Sequence, residues 1–545
     1  MLDRHEHTTL GLRRPDTVLR LAQMGQMMPT RLSFLRVLVR RLCAERAQVR
    51  RIHWDICDQG YGQAAYAIDL GGHTYSLVAI STNLPPDQRS DRVIATAWDA
   101  AFVLFDGTAT PADIARIAGQ APKQEAGRFE PRDLVLSRAN KSVRMWDATV
   151  AALRAGAQPD PQMIRDIGYL MRTTAVYGNG KFGIADRHLI ADRPGLDGPF
   201  AAEMLTVYLI RHFTLDLVQH VGGGALDPAL ARHIGIGNAT GLGMAPFLVT
   251  HPVLLHNWMV ARETALARVL DRPVIKAVEK ARMVTLAHRA RAHLADWHVP
   301  AKDHDTILRT LEADWTAFVP QIEAAPTFGA LWQAAQTKSA TLQELLTSLI
   351  IEVCPEDVDD LAADMGDPFG PLVAPFADTA ALARAVRDQW RWATDCDYDD
   401  AHQCRRFWYV SAAKLEPRLG DRFAEPGADL EAPLDIARRV AALWADLPDV
   451  PEPVSDFTAR HPEHAYAIQR VALLARYPYA EIRDNLIAAT CRPIDMLRCK
   501  LSFFGATKFD PKSDLWTRIT LAQGAPLGHE LRPEMDDWWL PVMEQ

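Results

Sequence analysis

Apolar residues recur at helical spacing through residues 15–50, where Leu19, Leu21, Leu35, Val37, Leu38 and Leu42 stand among arginines. The period then changes. Ile52–Cys57, Tyr61–Leu70, His73–Ser81 and Asp91–Phe105 are short runs rich in Val, Ile, Tyr and Thr, parted by Asp58–Gly60, Gly71–Gly72 and Leu84–Pro86. Alternating runs on either side of a Gly-Gly pair predict a hairpin at Gly71–Gly72. An antiparallel meander of three or four strands is expected, although Asp91–Phe105 fits a helix equally well. Past Gly107 the helical period dominates. Thr110 with Pro111 and Asp113 reads as an N-cap, a first-turn proline and an acidic first turn.

Further helices are predicted near 134–155, 160–175, 199–221, 226–233, 251–270, 273–297, 302–316, 329–351 and 379–394, then 433–446, 461–474 and 478–489. No fixed repeat appears, and the strand–helix alternation of a doubly wound sheet is missing. The expected class is therefore mainly α: a large helical body with a small N-terminal antiparallel β-meander. Proline-rich breaks suggest four divisions. These are an α+β unit over 1–125, a central helical domain with Gly-rich loops over 126–365, a helical connector over 366–450, and a C-terminal helical segment with a docking tail over 451–545.

With 545 residues, 48% hydrophobic and 23% charged, the chain has material for several cores. The most apolar helix, 199–221, carries Glu203, Arg211, His212, Asp216 and His220, too many charges for a membrane span. The first fourteen residues lack a secretory core, so a cytoplasmic location is expected. Seven cysteines without C-x-x-C spacing read as reduced thiols. A net charge of −8 argues against nucleic acid, and the one basic run, Arg36–Arg51, reads as a helix face. Self-association is compatible with the apolar helix content.

Two glycine-bearing segments invite a ligand. In Gly235–Phe247, Gly237, Asn238, Thr240, Gly241 and Gly243 precede a helix starting near His251. Glycine lets backbone amides approach a guest, and a helix N-terminus favours an anion. Part of this run, Thr240–Gly–Leu–Gly–Met–Ala–Pro–Phe247, looks like the Gly-Thr-Gly-x-Ala-Pro-Phe loop of ferredoxin–NADP reductases. The resemblance covers fewer than ten residues with an insertion, no strand is predicted before it, and no flavin motif accompanies it. The competing reading is glycine-mediated close packing. The second segment sets Arg172, Thr173, Tyr177, Asn179 and Lys181 around a Tyr-Gly-Asn-Gly turn, either an anion-binding turn or a helix cap.

Between them, Arg211, His212 and Asp216 share helical spacing on 199–221, where a carboxylate one turn from an imidazole would orient a general base. The alternative is an ordinary polar pair. Arg138, Lys141, Ser142 and Arg144 form either an anion clamp or a solvated face. Asp395–Cys404 fails the calcium-loop pattern at Asp400 and Arg406, and no metal site is expected.

The leading expectation is an enzyme that binds a small carboxylate or phosphate metabolite. Arg172, Thr173, Tyr177, Asn179, Lys181, Arg211 and the glycine loop would hold it, while His212, His251 or His256 exchanges protons as in a lyase or isomerase. A NAD(P)- or flavin-dependent oxidoreductase, and a non-enzymatic helical scaffold or regulator, are the alternatives.

Overall fold

The computed structural model describes residues 12–14, 18, 31–85, 88, 97–121, 130–178, 188–239, 252–298, 302–365, 376–400, 403, 433–479, 504–505, 508–513 and 516–536. After helix α1 (Phe34–Ala44), the chain enters strands β1 (Arg50–Ile56), β2 (Gly62–Leu70), β3 (His73–Ser81) and β4 (Ala100–Asp106). Gly71 and Gly72, both at positive φ, close the β2–β3 hairpin on the pair Leu70–His73. Helix α2 (Pro111–Gln120) follows, its Thr110 cap exchanging hydrogen bonds with Asp113.

The strands do not stop there. β5 (Asp133–Lys141), helices α3 (Trp146–Arg154) and α4 (Pro161–Ile167), and β6 (Tyr169–Gly178) occupy a stretch expected to be wholly helical. Helices α5 (Ala201–Gly222) and α6 (Pro228–His233) then lead into β7 (Gly235–Ala239), and β8 (Lys508–Ser513) and β9 (Trp516–Leu521) come from the far end of the chain. All nine strands form one mixed sheet in the order β1-β2-β3-β4-β5-β6-β7-β9-β8. Among the described residues, only the β6–β7 pairing is parallel.

This overturns the expectation of a mainly α body with a small N-terminal meander. The class is α+β, and strands from both sides of the expected boundary at 125 share the sheet. The physical reason is that the central strands are covered on both faces. Leu134, Val135 and Ala139 of β5 and Tyr169, Leu170 and Met171 of β6 are buried in the main core, whereas Leu136 packs with Ile114 and Ile117 of α2. A strand buried on both sides shows an unbroken apolar run, and its period of two is lost. Gly168, at φ 79°, ends α4 and releases the chain into β6 where one helix was expected.

Helix α5 is buried along most of its surface because it is sandwiched: one side lies on the sheet and the other meets α1 and α3. Helices α7 (Pro252–Leu270), α8 (Ala277–Asp296), α9 (Lys302–Ala324), α10 (Phe328–Ala335) and α11 (Ala340–Val353) extend the same core through Trp258, Leu286, Trp315 and Leu349. A second core, with Leu382, Trp390, Ile436, Val440, Phe457 and Val471, holds together helices α12 (Thr379–Gln389), α13 (Pro433–Asp446), α14 (Val454–Arg460) and α15 (Ala465–Arg476). No helix among the described residues is long and apolar enough to cross a membrane.

The basic run is engaged internally. Arg36 donates to Glu352 at 2.7 Å, Arg41 pairs with Glu45 and Asp197, and Arg50 pairs with Asp69.

Candidate functional site

The parallel strands bring the two glycine-bearing segments side by side. Arg172 lies opposite Gly237 and Thr173 opposite Asn238. Because β6 and β7 run the same way, Gly178 and Ala239 stand at the same end of the sheet. The paired residues are closed on one another, however. Thr173 Oγ1 donates to the Gly237 carbonyl at 3.2 Å and accepts from Asn238 Nδ2 at 2.8 Å, and both side chains are fully buried. A Cβ at Gly237 would stand 2.7 Å from the Tyr169 ring, so this glycine serves close packing and not a ligand. Arg172 is buried. Tyr177 lies opposite Leu136 in the sheet, and its side chain falls outside the described residues. Asn179, Lys181, Thr240, Gly241, Gly243 and His251 also lie outside the described residues.

Arg211 is a structural group. Nε donates to the Ile234 carbonyl at 2.7 Å, and the terminal nitrogens reach the carbonyls of Arg232 at 3.0 Å, Ala231 at 3.3 Å and Pro526 at 3.3 Å. It thereby satisfies the C-terminal carbonyls of α6 and ties them to the segment after β9. Burial pushes its pKa down to about 10, and its donors face backbone carbonyls in place of an anion.

His256 also acts elsewhere. Its Nδ1 accepts from the Tyr479 backbone N–H at 3.3 Å, and its ring meets the rings of Tyr477 and Tyr479 at 5.1 and 5.6 Å. Val253 packs there with Ala472 and Tyr477, so this histidine docks the end of the C-terminal helices onto α7. Arg138 and Lys141, expected on one helix face, lie on β5; Arg138 covers Trp98, and Lys141 faces Trp146 and Tyr61. Asp395 pairs with Arg391, and Asp397 accepts from the Asp399 backbone in a local turn.

His212 has a different setting. Arg51 and Tyr66 are direct cross-strand partners on β1 and β2, so their side chains share a face. Helix α5 crosses that face and lays His212 and Asp216, one turn apart, beside them. Tyr66 Oη donates to Asp216 Oδ2 at 2.8 Å, and an Arg51 terminal nitrogen stands 3.7 Å from the same oxygen. His212 Nε2 is 4.0 Å from it, and the His212 ring meets Tyr66 edge-on at 5.2 Å. The Arg51 guanidinium also lies 4.7 Å over the Trp54 ring. The far edge of the imidazole rests on Gly528, where a Cβ would come within 3.0 Å of Nδ1 and Cε1.

These groups are neither sealed nor saturated. The Tyr66 ring is buried, but side-chain exposure is 23% for His212, 26% for Asp216 and 51% for Arg51. Burial lowers the His212 pKa most; Asp216 opposes this, and the nearby Arg211, His529 and Arg51 add to the lowering. The imidazole is therefore neutral near pH 7 and able to accept a proton. Burial and the Asp216 charge push the Tyr66 phenol far up, so it remains a donor.

The His212–Asp216 spacing is visible in the sequence. Arg51, Tyr66 and Gly528 are not, since nothing in a local pattern links residues of β1 and β2 to a helix near 212 or to residue 528. No family model, no curated protein and no solved structure matches this chain.

Proposed function

We propose that the protein is an enzyme that moves a proton on a small substrate carrying a carboxylate or phosphate, with His212 as the acid–base group and Arg51 as the anion anchor. The observation that carries this reading is the half-open set of Arg51, Tyr66, His212 and Asp216, with 3.7 and 4.0 Å gaps around one carboxylate oxygen. Neutral His212 takes a proton from a carbon next to the substrate's acidic group. The imidazolium that forms is stabilised by Asp216, which the Tyr66 hydroxyl keeps in place. The electron pair left on the substrate either takes a proton back at a neighbouring carbon, as in an isomerase, or expels a leaving group, as in a lyase. Arg51, half exposed and fixed at its root by β1, offers a fork for the substrate's anionic oxygens.

The test is a thermal-shift screen of the full chain against small carboxylates and phosphates, followed by solvent deuterium exchange into any ligand found. Arg51→Ala should weaken binding about tenfold, the worth of a charge-assisted hydrogen bond. His212→Gln should retain binding and lose exchange. Ligand binding and exchange unchanged in both variants would overturn the assignment.

One observation favours the oxidoreductase alternative. β7 provides a strand directly before the Thr240–Gly243 segment, correcting the expectation that none is there. A glycine-rich segment following a strand in sequence is where a dinucleotide pyrophosphate is commonly taken. Stabilisation by NADPH or a flavin, insensitive to Arg51→Ala, would favour that reading.

A further inference from the structure

The C-terminal helical unit holds a second histidine–carboxylate cluster, one that no sequence motif announced. Asp446 closes α13, and the chain returns through α14 to a 3₁₀ turn at Pro462–His464. The His464 N–H donates to the His461 carbonyl at 3.1 Å, closing that turn. In 3₁₀ geometry residues three apart eclipse one another, so the two imidazoles point the same way. Their ring centroids lie 5.9 Å apart at an interplanar angle of 29°. Phe457, buried in the unit's core, stacks on both, at 4.9 Å from His461 and 5.9 Å from His464. The rings thus have an apolar backing that sets their planes, as a pre-organised site requires.

Each imidazole meets a carboxylate. His464 Nε2 lies 2.8 Å from Asp446 Oδ2, and His461 Nδ1 lies 3.2 Å from Glu463 Oε1. Two such pairs on their own would be ordinary hydrogen bonds. What pairing alone leaves unexplained is that both pairs converge: one ligand atom from each of Asp446, His461, Glu463 and His464 lies within 4.8 Å of the others. Among the described residues, neither Asp446 nor Glu463 has a Lys or Arg ion-pair partner; each meets an imidazole instead.

We infer that these four residues form a binding site for a first-row divalent metal ion of the zinc type. Two neutral imidazoles and two carboxylates supply four ligands and two negative charges, matching a dication. Imidazole nitrogen selects such ions over calcium and magnesium, which favour all-oxygen sites. Tetrahedral zinc, with bonds near 2.0–2.2 Å, spaces its ligand atoms about 3.3–3.5 Å apart. Binding therefore draws each hydrogen-bonded pair open by a few tenths of an ångström and brings the two pairs together. Asp446 and Glu463 are exposed, and His461 is partly so, which lets them move and lets an ion enter from water; His464 is the buried, fixed member. The ion would clip the end of α13 to the α14–α15 turn and stabilise the packing of these helices. Ligation needs unprotonated imidazoles, so protons compete with the ion for this site.

The experiment is calorimetric titration of chelator-treated full-length protein with Zn²⁺, together with the visible absorption of the Co²⁺ form. One equivalent should bind, with tetrahedral Co²⁺ bands and a raised melting temperature. Asp446→Asn and His461→Asn, on separate elements, should each weaken binding at least about tenfold, by loss of a direct ligand. Glu463→Gln, at an exposed position, should do the same with an unchanged circular dichroism spectrum. No uptake by the parent chain, or uptake equal in all three variants, overturns the site.

Discussion

Two regions of this protein place charged side chains on buried helices, and they treat them in opposite ways. Between α7 and α11, Arg262 donates to Glu344 at 2.5 Å and to Glu263 at 3.2 Å, and Arg13 donates to Glu263 at 2.6 and 2.7 Å and to the other oxygen of Glu344. Every charge in that interior group is met at hydrogen-bond distance by its opposite, and Arg262, Glu263 and Glu344 are shut away from water. At the α5–sheet edge, the oxygen of Asp216 has one short partner, Tyr66, while Arg51 and His212 stand off at 3.7 and 4.0 Å with water access. A closed ion group is a fixed part of a fold. An open one retains unused hydrogen-bonding capacity, which is what binding and proton transfer require. This contrast, more than the presence of a histidine, is why the proposed function rests on the second region.

The largest expected effect comes from breaking the closed group. Burial alone would raise the Glu344 pKa, but the guanidiniums of Arg13 and Arg262 outweigh it and hold the carboxyl below its usual range. Glu344→Ala leaves Arg13 and the buried Arg262 to share the single carboxylate of Glu263 and should cost about 3–5 kcal/mol, read from urea unfolding. Asp216→Asn should cost under about 1 kcal/mol, because the amide oxygen can still accept from Tyr66 and the charged neighbours Arg51 and His212 are partly hydrated. Equal losses in the two variants would erase the distinction between the regions.

Next in size is Gly528→Ala. Its new methyl would press on the His212 ring and lie 3.1 Å from the Cβ of Val49, contacts tighter than packing accepts. Overpacking of this kind costs about 1–3 kcal/mol. Because Gly528 touches the imidazole itself, the substitution should also move the His212 ring resonances in an NMR spectrum. A stability loss with those resonances unmoved would separate Gly528 from the site.

How much of this is readable from the chain follows from the range of the interactions involved. The Gly71–Gly72 hairpin, the Thr110 cap and the His212–Asp216 spacing depend on neighbours within a few residues, and the sequence displays them. β5 and β6 read as helices because strands covered on both faces lose their alternation. β8 and β9, the latter some 270 residues from its partner β7, read as a docking tail. At the site, the pair on α5 is legible, whereas Arg51 and Tyr66 depend on a register between β1 and β2 that no local spacing encodes. Arg211 and Thr173 show the reverse error. Residue types suited to a ligand are drawn into the backbone, where buried carbonyls need donors.

The gentlest probe is acidity, and it separates the two regions by pH window. His212 has a folded pKa below the roughly 6.5 of an unfolded chain. Above that value both states are neutral, and the stability favouring the uncharged ring is fully present. As the pH falls below about 6.5, the unfolded state takes up a proton first, so stability declines until the folded pKa is passed. Glu344 behaves as a depressed carboxyl: its contribution persists down to about 4.5 and is lost only as the pH falls through its lowered folded value. His212→Gln should therefore flatten the parent's decline just below pH 6.5 and leave the acid limb intact. Arg51→Ala, which removes a cation that lowers the His212 pKa, should narrow the same window by raising that value. Urea unfolding from pH 4 to 8 measures both, with His212 ring shifts as the direct readout. An identical slope below pH 6.5 in the parent and in His212→Gln would mean that the imidazole is as solvated in the fold as in the open chain. The open region would then have no neutral base to offer at its centre.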